Sequence, residues 1–318
     1  MPSSISSQPL VAPVQVSVAL SDVEAMMLAS LRANASEVSR KTAGAREAAQ
    51  YHLSAGGQRI RANIALHAGL SAGLNAADAT IIAAAVELLH NASLVHDDIQ
   101  DRDELRRGQQ AVWSRFGVNT AICTGDLFIS AAYATLCRLD NARVLAPMIL
   151  LMHERVSMAV DGQCADLQES AAIFSDTKKA IAHYQQIAVA KSGALLSLPL
   201  ELVLLASGQP DYLPQARSAA EAFAIGYQIA DDLQDVQSDG RAGTAAVGYN
   251  IVSVFKATGT TALSMEKART LGLEKIDLAI ALSGRLPFSI GARLGDYARQ
   301  LRDVVDGYKS EEQIGGNE

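Results

Sequence analysis

Apolar positions recur at three- and four-residue spacing through most of the chain, the period of a helix with one face in a core. Alternation of apolar and polar residues, the mark of a half-buried strand, is scarce. The pattern predicts helices over about 41–69 with a break at Gly56-Gly57, and over 76–102, 118–139, 143–171, 176–207 and 211–238. Two shorter helices follow, over 261–284 and 288–308. Ser21-Asp22 offers side-chain acceptors for the first turn of an earlier helix. Loops are predicted at SAGLNAAD, RRGQQAVWSRFG, SGQPDYLP and SDGRAGTAAVG, where glycine, proline and polar residues gather. None has the make-up of a domain linker. The chain therefore reads as all-α, with one helical domain over 21–308 between a mobile N-terminal arm (1–20) and a polar tail (309–318).

Composition narrows this picture. A chain of 318 residues that is 49% hydrophobic can bury a large core. Its net charge of −7 argues against general nucleic-acid binding, and any phosphate ligand must find local cations. The cysteines, Cys123, Cys137 and Cys164, are odd in number and form no CxxC pair. That argues against a disulfide framework or a zinc site and fits a cytoplasmic location. No apolar run is expected to span a membrane: the closest, Ala194 to Ala206, is interrupted by Pro199 and Glu201. The N-terminus lacks the basic start and apolar core of a signal peptide.

Two acidic segments carry the candidate chemistry. LLHNASLVHDDIQD holds Asp97, Asp98 and Asp101, and GYQIADDLQD holds Asp231, Asp232 and Asp235. Both have the form DDxxD. Residues four apart share a helix face, so Asp97 converges with Asp101 and Asp231 with Asp235. Carboxylates gathered on an otherwise apolar helix repel one another unless cations lie between them. Hard oxygen ligands favour Mg²⁺, which shares phosphate oxygens and keeps waters. A single such segment reads equally well as a solvated helix end; two copies, each after an apolar stretch, favour metal. Cations are scattered nearby in sequence: Arg59 and Arg61 in AGGQRIRA, Arg106 and Arg107 in DELRRGQQ, and Lys191 on the apolar stretch AVAKSGALLSLPL. A lone lysine there either snorkels or meets an anion. Together these groups suit a Mg²⁺-bridged diphosphate.

The ordered set GGQRIR, ELLHNASLVHDDIQDRDELRRG, the GD of CTGDLF, GQCADL, AKSGALL and YQIADDLQD, from about Gly56 to Asp235, resembles the trans-prenyltransferases, the polyprenyl diphosphate synthases, and geranylgeranyl diphosphate synthases among them. The resemblance implies an antiparallel helical bundle around a deep central cavity, the isoprenoid synthase fold, usually a homodimer. It implies condensation of an allylic diphosphate with isopentenyl diphosphate, with three Mg²⁺ per substrate-bound site. Asp97, Asp101 and Asp231 then look like direct metal ligands. Asp98, Asp232 and Asp235 support them, partly through water, and Asp166 joins the metal set. Arg106, Lys191 and Gln228 resemble contacts to the allylic diphosphate, and Gln163 faces the same headgroup. Ser192 stands where the family usually has threonine. Arg61, His90 and Arg107 resemble the isopentenyl diphosphate pocket. His96 is expected to serve helix packing.

Two positions depart from the family pattern. Gln58 replaces a lysine that contacts isopentenyl diphosphate, so that pocket has one cation fewer, and Arg59 and Arg61 are candidates to compensate. After Asp235 the loop is short, and Arg241 falls near the family's usual lysine. Two other functions share this scaffold. A class I terpene synthase would ionise and cyclise an allylic diphosphate, but it needs no second diphosphate pocket. A silent partner subunit would tolerate broken metal motifs, whereas both are intact. Product length is expected to be set on the turns before Asp97. Ala92 and Ser93 are small, so growth should pass fifteen carbons; Leu88 and Leu89, with Ile129 and Tyr133, could form a floor at about twenty.

Overall fold

The computed structural model describes residues 13–32, 44–168, 176–242, 250–256 and 260–308, with the side chains of 13–19 and 238–242 left out. The chain divides into two compact units, 1–140 and 141–318. The first holds α1 (Pro13–Arg32), α2 (Ala45–Ser54), α3 (Ile60–Ser71), α4 (Ala76–Gln100), the two-residue strands β1 (Leu105–Arg106) and β2 (Gln109–Gln110), α5 (Val112–Phe116) and α6 (Val118–Leu136). Asn75 starts α4, its side chain accepting from Asp78 N at 2.8 Å. α4 packs along α3, α6 and α1. Val23, Met27 and Leu31, four apart on α1, are fully buried, as are Ile82, Val86 and Leu88 on α4.

The second unit holds α7 (Ala142–Gln168), α8 (Thr177–Ala188), a π turn (Val189–Gly193), α9 (Ala194–Ala206), α10 (Leu213–Ala242), α11 (Ile251–Lys256), α12 (Thr261–Ser283) and α13 (Ala292–Gly307). Every residue from Ala194 to Leu204 is buried, as expected of a helix apolar on all sides. The one acid on α9, Glu201, is fully buried and held by charge-assisted bonds. Arg155 donates to its two oxygens from Nε (2.7 Å) and Nη2 (2.8 Å), and Ser197 Oγ adds a third bond at 2.7 Å.

Several expectations are corrected here. The first helix begins at Pro13, upstream of Ser21-Asp22, so those residues lie inside it and not at its start. Proline is favoured in a first turn, where its missing N–H would have no partner. The helix of 211–238 runs on to Ala242, into the predicted loop. The loop RRGQQAVWSRFG contains a hairpin turn and a short helix, both below the length at which periodicity speaks. Helix 176–207 runs without interruption from Thr177 to Ala206 but carries a π turn at Val189–Gly193. Predicted positions 41–43, 169–171, 243–248 and 309–318 lie outside the described residues. Ala76–Gln100 and Thr177–Ala206 are, by length and composition alone, apolar enough to cross a membrane, Pro199 and Glu201 notwithstanding. Both segments are largely buried inside the protein, as core helices are.

Candidate functional site

In the first unit the residues of interest come from the end of α4, the hairpin after it, and the loop between α2 and α3. Asp98, near the end of α4, is fully buried. Its Oδ1 accepts both from Arg106 Nε at 2.7 Å and from Arg106 Nη2. Burial alone would lower the Arg106 pKa, but the hydrogen bond and charge of Asp98 hold it above the usual arginine range. Asp98 Oδ2 is buried with no hydrogen-bond partner. Asp97 is half-buried, and Asp101 is exposed as the C-cap of α4.

Arg107 and Gly108 form the hairpin turn, both with positive φ (53° and 77°), as a type I′ turn requires. The turn sends the adjacent arginines to different anchors. Arg106 reaches Asp98, while Arg107 Nη1 donates to Gly56 O and its guanidinium lies on the bare face of Gly57. Burial, then the charges of Arg59 and Arg106, lower the Arg107 pKa.

Two neutral histidines lie under these cations. Burial, then Arg107 and Arg106, push His52 down to about 3; its Nε2 is 3.1 Å from Asn91 Oδ1. Burial, then Arg61 and Arg107, hold His90 well below the usual histidine range, and its Nδ1 is buried without a hydrogen-bond partner. Arg59 adds its charge to this cluster, but its guanidinium is bonded elsewhere. It is turned inward in a left-handed conformation, bonded from Nε to Glu24 (3.1 Å) and from Nη2 to Leu53 O (3.2 Å), with Nη1 3.7 Å from Glu87. The carboxylates of Glu24 on α1 and Glu87 on α4 thus hold the guanidinium that was a candidate to compensate for Gln58. Gln58 itself is exposed.

In the second unit α10 carries the other motif. Asp232 is buried and joins three elements. Its Oδ2 accepts from Tyr184 of α8 at 2.9 Å and from Ile251 N at the start of α11 at 2.7 Å, and its Oδ1 accepts from Gln228 at 3.2 Å. Burial pushes this carboxyl up to about 7 against the pull of those donors. Burial, then the charge of Asp235, raise Asp231, and Lys191 opposes them.

Lys191 sits in the π turn and bonds through Nζ to Asp166 of α7. Gly162 permits that approach, since a β-carbon there would lie 2.6 Å from Ala190 C and would also overlap Lys191 N. Gln163, one turn before Asp166, is buried with both amide atoms lacking hydrogen-bond partners. Ser192 is half-buried in the same turn, and the side chain of Arg241 lies outside the described residues.

Within each unit some of the predicted residues bond to one another. Arg106 is on Asp98, Gln228 on Asp232 and Lys191 on Asp166. Sequence reasoning missed Tyr184, His52 and Asn250, whose Nδ2 donates to Asp232 O at 3.2 Å. None stands in a motif, and only long-range packing selects them. Of the chain-length candidates, Leu88, Leu89 and Ala92 are buried, whereas Ser93, Ile129 and Tyr133 are half-buried. Ser93 Oγ donates to His90 O at 2.9 Å, so the position is small and its hydroxyl is satisfied.

Among the described residues no three His, Cys, Asp or Glu side chains form a ready-made metal cage. The donors nonetheless suit Mg²⁺, which binds through one or two carboxylates plus substrate phosphate oxygens. Each motif offers a pair of carboxylates one helical turn apart; Asp98 Oδ2 and the Gln163 amide are further buried polar atoms without hydrogen-bond partners.

Solved structures share this fold. A geranylgeranyl pyrophosphate synthetase from Pyrococcus horikoshii superposes with a TM-score of 0.76 at 22% identity, over 91% of this chain and 97% of that one. One from Geoglobus acetivorans gives 0.73 at 23%, over 91% and 98%. The architecture is the all-helical isoprenoid synthase fold. Among sequence relatives, a geranylgeranyl diphosphate synthase of Methanosarcina mazei is 33% identical over 60% of this chain, a match spanning 58% of the relative's length. A short chain isoprenyl diphosphate synthase of Methanothermobacter thermautotrophicus is 29% identical over 72% of this chain and 68% of its own. A farnesyl diphosphate synthase of Haemophilus influenzae is 29% identical over 78% and 85%. These relatives are named as enzymes that make prenyl diphosphates. The polyprenyl synthetase family model matches residues 43–251, more than half of the chain, so the chain belongs to the polyprenyl synthetase family.

Proposed function

We propose that this protein is a Mg²⁺-dependent trans-prenyltransferase that condenses an allylic diphosphate with isopentenyl diphosphate into a linear product of about twenty carbons or more. The observation that carries this reading is the pocket of Arg61, Arg106 and Arg107 over the neutral His52 and His90, beside an aspartate motif in a chain of net charge −7. Such a pocket suits a second diphosphate, which a cyclase does not need. It therefore favours chain elongation over terpene cyclisation.

Asp97 and Asp101 of the first unit, and Asp231 and Asp235 with Asp166 of the second, would hold the ions. Magnesium bound there would supply positive charge to the oxygens of the departing diphosphate. Lys191 and Arg106 add fixed cations as that charge develops, and Gln163 and Gln228 orient the headgroup. Arg61, Arg107 and neutral His90 hold isopentenyl diphosphate, whose double bond attacks the first allylic carbon. A proton then leaves the new chain, with the released diphosphate as its acceptor. Apolar side chains keep water from the carbocation.

Exposed Val118 and Ile122 on α6, and Leu150, Val160 and Leu167 on α7, are apolar surfaces suited to a homodimer. The reading places the enzyme in the cytoplasm. The deciding experiment incubates the purified chain with Mg²⁺ and C5, C10 or C15 allylic diphosphates, with and without isopentenyl diphosphate, and weighs the products. Linear products that require isopentenyl diphosphate are expected. Cyclic hydrocarbons formed without it, or no turnover, would overturn the proposal.

A further inference from the structure

The α4 and α6 helices of the first unit meet closely just before the first aspartate motif. There His96 of α4 lies over Gly125 of α6. A β-carbon on Gly125 would overlap the imidazole, 2.5 Å from Cδ2 and 2.6 Å from Cε1. The next residue, Asp126, holds Oδ1 3.8 Å from His96 Nε2. With the ring in this orientation any side chain at position 125 would overlap it, and the imidazole stands one residue before Asp97.

This position gives the contact leverage. A carboxylate tip lies roughly 5–6 Å from its helix axis, so a roll of about 10° carries it about 1 Å. Octahedral Mg²⁺ asks for oxygen at about 2.0–2.1 Å and tolerates an error of only about 0.2 Å. Arg106 holds Asp98, but that bond ties α4 to the hairpin that follows it. At this level His96 is the side chain of α4 that lies against Gly125 of α6.

We propose that His96, seated on Gly125 and facing Asp126, is a positioning residue that fixes the roll of α4 and so aims Asp97 and Asp101. The proposal rests on reading those aspartates as Mg²⁺ ligands. A substitution that breaks the seat should weaken metal binding while the helices stay folded.

The test measures the Mg²⁺ concentration that gives half of the rise in melting temperature in the presence of inorganic diphosphate, with far-UV circular dichroism taken without metal. Gly125→Ala and His96→Ala should each raise that concentration roughly tenfold or more, the range for residues that orient metal ligands. The double variant should be no worse than the worse single, since both changes break one contact. His96→Gln, which keeps a flat polar group over Gly125, should recover most of the loss and carries the test if Gly125→Ala does not fold. Wild-type values in the single variants, or effects that multiply in the double, would overturn the proposal. Asp97→Ala is the control and should lose the diphosphate-dependent response. If it keeps the response, the metal reading falls and the positioning role with it. If it loses the response while Gly125→Ala and His96→Ala match wild type, only the positioning role falls.

Discussion

At the scale of single residues, burial and neighbouring charge decide what each group can do. His52 titrates near 6.5 in the unfolded chain and near 3 in the fold, so its folded value is depressed. The stability it contributes is present above pH 6.5 and is lost as pH falls toward 3. Between pH 7.5 and 5.5 this amounts to about 1.4 kcal/mol. Urea unfolding of His52→Gln at those two values should show a stability difference smaller by about that amount; an unchanged difference would mean that the imidazole is not kept neutral. Gln58 is exposed at the edge of the arginine pocket, and Arg59 is held elsewhere. Gln58→Lys should therefore lower KM for isopentenyl diphosphate several-fold, a desolvated charge contact being worth roughly 1.5–3 kcal/mol at most. KM for the allylic substrate should hardly move. The DDxxD spacing made both aspartate pairs legible in sequence. The partners of Asp98 and Asp232 were not, because a buried carboxylate takes its donors from wherever the chain returns.

At the scale of elements, periodicity disclosed the long helices and failed where structure is short or irregular. The π turn at Val189–Gly193 lies inside a stretch whose apolar pattern reads as one unbroken helix. What permits it is Gly162, on a different helix and far away in sequence. Bulges of this kind often mark functional positions, and here the turn holds Lys191 against Asp166. Gly162→Ala would push the turn away from α7. The expected result is a fall in kcat of about 10²-fold, since misplacing a catalytic group by 1 Å can cost that much. The helix content by circular dichroism should be nearly unchanged, and a variant with wild-type kcat would show that the close approach has no catalytic purpose. The hairpin at Leu105–Gln110 was equally hidden, its two-residue strands being too short to alternate.

At the scale of the whole molecule the question is how far the product grows. Relatives of this chain include synthases named for farnesyl, geranylgeranyl and octaprenyl products, so family membership leaves the length open. Leu88 and Leu89 are packed in the core, which leaves Ser93, Ile129 and Tyr133 as the half-buried positions at this level. A ring placed at Ser93 would enter the open side rather than overfill the core. Ser93→Phe should shorten the main product by at least one isoprene unit, about one helical turn in length. Mass spectrometry with excess isopentenyl diphosphate reads the result; an unchanged product would move the floor elsewhere.

The hairpin arginine has a consequence for how the protein responds to selection. Arg107 stands in a backbone conformation that costs a non-glycine residue about 1 kcal/mol, and its guanidinium is crowded by two like charges. Glycine at that position relaxes both. Arg107→Gly should therefore melt a few degrees higher than wild type while KM for isopentenyl diphosphate rises at least tenfold, which differential scanning calorimetry and steady-state kinetics would register together. Laboratory evolution toward heat tolerance alone would drift to glycine here and weaken the hold on isopentenyl diphosphate. The arginine can persist only in a lineage that is screened for turnover.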